Sequence, residues 1–146
     1  MLNLERRWFE AVPWETVVTV NEELCQKGEQ PHAPNPKGYE VARQLWEESA
    51  ARSMKLRQVL EVCRQIHKLA PFQFFNGNTV GHIVKVMVGE MLQPLPSVQA
   101  QIARSTVSHF VVGQIKAGEL EDVFKHFGPL WRNPPPASNS SSGPPG

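Results

Sequence analysis

The side chains able to move protons or hold metals are scattered through this chain. There are five histidines, His32, His67, His82, His109 and His126, and two cysteines, Cys25 and Cys63. A structural zinc site draws four such ligands, often paired on one helix face at i and i+3 or i+4. No two histidines have that spacing. Cys63 and His67 do, as i and i+4 of one helix, but no second half of a site accompanies them. The pair reads as a buried thiol beside an interfacial imidazole, and neither metal nor cofactor is expected. Two other runs have residue types suited to phosphate. Arg104 and His109 stand where a guanidinium fork could grip a phosphate and an imidazole could move a proton. Between two apolar helices, Phe72 to Thr79 forms an aromatic turn whose Asn76-Gly77 tolerates positive φ.

The Arg104-x4-His109 spacing resembles the motif of the HEPN family of helical ribonucleases. That resemblance implies an Arg and a His acting on a scissile phosphate at a dimer interface. On a continuous helix, residues five apart diverge by about 140°. Phe74-Phe75-Asn76-Gly77-Asn78, leading into a helix, resembles the active-site loop of the Fic fold. Members of that family transfer AMP or another phosphorylated group to a target hydroxyl. The family pattern is His-Pro-Phe-x-Asp/Glu-Gly-Asn-Gly-Arg, and Phe74, Gly77 and Asn78 match it. Phe72 stands where the catalytic His belongs, Asn76 replaces the metal-binding acid, and Thr79 replaces the second Gly. Val80 stands where the phosphate-binding Arg belongs. The resemblance implies a catalytically degenerate nucleotide transferase, and no residue is assigned a catalytic role.

Segment 52–68 is locally basic, with Arg52, Lys55, Arg57, Arg64 and Lys68 against Glu61 alone. Such a face can bind phosphates, or it can pair with Glu47, Glu48, Glu119, Glu121 and Asp122. The net charge of +1 gives no bulk argument for nucleic acid or an anionic membrane.

The apolar pattern says what must position these residues. Leu4, Trp8, Phe9 and Val12 predict a short helix over 3–12. A second helix starts at Pro13, although the β-branched run Thr16 to Val20 competes as a strand. Pro31, Pro34 and Pro36 mark a loop over 28–37. Tyr39 to Leu69 is helical with a break expected near Ser49 to Ser53, and Ala70-Pro71 ends it. Asn78 or Thr79 caps a helix carrying Val80, Ile83, Val84, Met87, Val88, Met91 and Leu92, apolar enough to be central. Ser97 to Lys116 forms the next, with Ile102, Val107, Phe110, Val111 and Ile115 inward and Gly118 closing it. The last runs from Glu119 to about Trp131.

The expected fold is all-α: a compact bundle of about five to six helices in one domain, 1–131, with an arm and Pro-rich loop over 1–37 and a core over 38–131. Residues 132–146, rich in Pro, Ser and Gly, read as a disordered tail or linker. The N-terminus lacks the apolar region of a signal peptide, and no segment has the ~20 uncharged apolar residues that span a bilayer. A cytoplasmic location follows by elimination. The function expected is a non-catalytic protein–protein interaction module, such as an adaptor, assembly factor or regulatory subunit. Its partner would be another protein or a second copy of the chain, held by Trp8, Phe9, Trp14, Phe72, Phe74, Phe75, Asn76 and Asn78. One alternative is a nucleic-acid-associated protein using the basic helix. The other is an enzyme, either a HEPN-like ribonuclease or a degenerate Fic-like transferase.

Overall fold

The computed structural model describes residues 1–132. The tail expected over 132–146 lies outside the described residues apart from Arg132, which ends the last helix. The described residues form six α-helices with a small two-stranded ribbon. The helices are α1 (Trp14–Lys27), α2 (Tyr39–Ala50), α3 (Leu56–Leu69), α4 (Asn76–Gly89), α5 (Ser97–Val111) and α6 (Ala117–Arg132). No helix among the described residues is long and apolar enough to cross a membrane.

The expected helix over 3–12 is absent. Its place is taken by β1 (Glu5–Arg6) and a single 3-10 turn (Trp8–Ala11). β1 pairs antiparallel with β2 (Met54–Lys55), in the register Glu5 to Lys55 and Arg6 to Met54. The reason lies at the start of α3, whose first amides have no acceptors within the helix. Leu56 N donates to Leu4 O at 3.0 Å and Arg57 N to Leu2 O at 2.9 Å. An extended arm supplies those carbonyls, and a helical one would not.

The β-branched run Thr16 to Val20 is helical within α1, which begins directly after Pro13. The long segment from Tyr39 breaks after Ala50, inside the expected window. α4 starts at Asn76, two residues before the expected caps, and Phe75 precedes it with left-handed backbone, φ 62°. Asn76 closes the turn instead: its Oδ1 accepts from Phe72 N at 2.9 Å and its Nδ2 donates to Phe72 O at 2.8 Å.

α4 packs against α1, α3 and α5 and is the central helix, burying Val80, Ile83, Val84 and Val88. α5 ends at Val111, well before Gly118, because Gly113 takes φ +82° and its amide bonds to Phe110 O. That shortening puts Gly118 in the first turn of α6. Ile102, expected inward, is 46% exposed, and Ile115 lies past the helix end, half-buried. One continuous core runs from Leu2 through Phe127. α6 is tied to the turn after α4 by Trp131 Nε1, which donates to Met91 O at 2.7 Å.

Candidate functional site

The arm aromatics are not exposed anchors. Trp8, Phe9 and Trp14 are all buried in the chain's own core. The edge of Phe9 meets Trp46 at 4.7 Å between centroids, and Trp46 Nε1 donates to Val12 O at 2.8 Å. Trp14 stacks on Phe72 at 6.0 Å and donates to the Tyr39 hydroxyl at 3.0 Å. Phe72 is therefore buried as well. These rings meet residues of α2 and of the aromatic turn, which the sequence had left free to accept them. Phe75 is half-buried beside Gly28, and Asn76 is used within the turn. Of the eight residues named for a partner, Phe74 and Asn78 alone are exposed.

Arg57, Arg64 and Lys68 share one flank of α3 with Glu61, and the other two basic residues stand outside the helix. Arg52 and Lys55 precede α3, and Arg57 pairs with Glu121 of α6. Arg64 lies over the Phe110 ring, and Lys68 is exposed. Cys63 is sealed in the core, where burial pushes its thiol up to about 12. Cys25 is also buried, with its thiol raised by the same desolvation. Among the described residues, no three His, Cys, Asp or Glu side chains could hold a metal ion.

What the fold does bring together is a cleft of about 650 Å³ between α3, α4 and α5, with Leu24 of α1 at its edge. That volume suits a small ligand or one group of a larger one. Gly77, Asn78, Gly81, His82 and Lys85 form one stripe of α4, set by the i, i+4, i+8 spacing, opposite its buried stripe. α5 faces them with Ser108 and His109, and Gln114 follows in the next turn. His67 reaches in from α3, clear of the sealed Cys63. A methyl group placed on Gly77 would lie 3.5 Å from His67 Nε2 and 3.5 Å from Val112 Cγ1, so the imidazole rests against the first turn of α4. That helix start has no side-chain cap.

The cleft is electrostatically one-sided. Lys85 and three histidines line it, with amide and hydroxyl donors between them, and among the described residues no Asp or Glu does. Partial burial lowers the pKa of His67 by desolvating its cationic form. Two other concavities differ. Each has a carboxylate in its wall: Glu121, paired with Arg57, stands beside Lys125 and Arg132 in one, and Glu90 lies 3.2 Å from Arg6 in the other. Arg104 does not line the cleft that His109 does, so the Arg-x4-His pair is not brought to one place. Gly77 and Asn78 of the Fic-like loop do line it.

Sequence reasoning named Asn78 but missed His82, Lys85 and Ser108. The signal was present on α4, where small and polar residues recur at 77, 78, 81, 82 and 85 of an otherwise apolar rod. Comparison with protein-family models, with curated proteins and with solved structures gives no match for this chain.

Proposed function

We propose that this protein is a helical binding module that recognises an anionic group in the α3–α4–α5 cleft. The observation carrying this is the cleft's lining: one ammonium, three imidazoles and several neutral donors, with no carboxylate among them. A cation in a concave wall, without a counter-charge beside it, concentrates anions from solution. Asn78, Ser108 and Gln114 add hydrogen-bond donors at fixed positions around that charge. The apolar sides of Leu24 and Val112 give the rest of the ligand a surface to lie on. This narrows the interaction-module reading to one surface and one chemistry, and moves it from the buried arm to the cleft.

The test is a titration of the 15N-labelled protein with inorganic pyrophosphate at low and moderate salt. Saturable shifts should centre on Gly77, His82, Lys85 and His109. The charge reversal Lys85→Glu should weaken binding at least ten-fold, and added salt should weaken it for the native chain. Shifts spread evenly over the surface, or a Lys85→Glu variant that binds as the native chain does, would refute the reading.

A further inference from the structure

Arg64 has a place in the fold that core packing does not account for. Its Nε is sealed from solvent and has no hydrogen-bond acceptor among the described residues. A buried donor left unmet, on a charged group, costs stability. Among the described residues no carboxylate pairs with it; the arginines ion-paired there are Arg6, Arg7, Arg43 and Arg57. The guanidinium carbon sits 4.9 Å from the centre of the Phe110 ring, within cation–π range. The residue is only half-buried, and its two terminal nitrogens bond to nothing among the described residues.

The head group also lies beside the cleft. Arg64 is one turn before His67 on the same face of α3. A methyl group on Gly113 would stand 3.9 Å from its Nη2, while Val112 and Gln114, on either side of that glycine, line the cleft. The turn from Val112 to Gln114 therefore adjoins both the cleft and the guanidinium.

We propose that Arg64 is a ligand-binding residue at the rim of this cleft, and that the anion it serves is the phosphoryl group of a phosphorylated small molecule. The proposal rests on the reading of the cleft as an anion site. A guanidinium can present its fork to two oxygens at once. Its permanent charge and fork suit a phosphate dianion, which carries more charge than a single carboxylate. Stacking on Phe110 alone would not select arginine, because a methionine would cover the same ring without a desolvated charge.

The discriminating experiment compares the full chain with Arg64→Met and Arg64→Lys, by thermal unfolding without ligand and by calorimetric titration with inorganic phosphate and with acetate. Arg64→Met should unfold at the native temperature or above it, yet bind phosphate at least ten-fold more weakly. Arg64→Lys, which keeps the charge and loses the fork, should fall between the two. The native chain should prefer phosphate to acetate. The proposal is overturned if Arg64→Met binds phosphate as the native chain does, if it unfolds well below the native chain, or if acetate binds as well as phosphate. Should Lys85→Glu weaken phosphate binding while Arg64→Met leaves it intact, the cleft stands as an anion site and Arg64 falls out of it. A native chain that binds neither anion removes both.

Discussion

Ser108 of α5 stands so close to Gly81 of α4 that a methyl group on the glycine would fall 2.7 Å from the serine hydroxyl oxygen. This contact forms the floor of the cleft and sets how closely the two helices approach. Gly81→Ala must push α5 outward or rotate the serine, at a cost of about 1–3 kcal/mol. Ser108→Ala removes the clashing oxygen and leaves a carbon 3.8 Å away. The double variant should recover most of the loss in urea unfolding, as expected for residues in contact. Additive losses would show that the clash is relieved elsewhere.

Asn21 is wholly buried in α1 and joins three segments. Its Nδ2 donates to Phe74 O at 2.7 Å and to Thr79 Oγ1 at 3.0 Å, and its Oδ1 accepts from His32 Nδ1 at 2.9 Å. Asn21→Leu leaves the Phe74 carbonyl without this donor beneath the aromatic turn. The expected cost is about 1–3 kcal/mol, read as a shift in the midpoint of chemical denaturation with an unchanged slope.

The arm is part of the core, so its aromatic residues should behave as core residues. Phe9→Ala should cost about 3–5 kcal/mol. By contrast Val98→Ala, at a side chain 65% exposed on α5, should stay within about 0.5 kcal/mol. If Phe9→Ala were equally mild, the arm would have to be detached in solution.

Acid should weaken the fold through His67. Burial makes its imidazole harder to protonate in the native state than in the unfolded chain, whose value is about 6.5. The unfolded state therefore takes up the proton first. Stability rises with pH through the window from the lowered native value up to about 6.5, and falls as pH drops through it. His67→Gln should flatten that slope in urea titrations between pH 5 and 7.5. An unchanged slope would place the dependence on another group.

The helical frame was legible because the apolar positions from Tyr39 onward repeat at helical spacing and the breaks are marked by Pro or Gly. Three features were not, each for a physical reason. β1 is two residues long, too short for an alternating pattern to register, and its hydrogen bonds depend on a helix start fifty positions downstream. The β-branched run in α1 has weak intrinsic preference, which tertiary packing overrides. Both Gly113 and Gly118 could end α5, and only the backbone geometry shows that Gly113 does so. The cleft was half legible. The α4 stripe can be read from spacing, but Ser108 and His109 join it only through the antiparallel register of α4 and α5. A stripe of charges containing Arg64 reads as solvated until Phe110 is found beneath its head group.

The pairing of the arm with later segments affects the order in which the chain can fold as it is made. Trp46, which bonds to Val12 and packs on Phe9, follows Val12 by 34 residues. At translation rates of about 5–20 residues per second, that delay is on the order of 2–7 s. Throughout it, Trp8, Phe9 and Val12 have no surface to dock on, and the β1 edge has no strand to join. The nascent chain thus spends seconds with an oily, unpaired leading segment, which makes it a candidate for chaperone capture during synthesis.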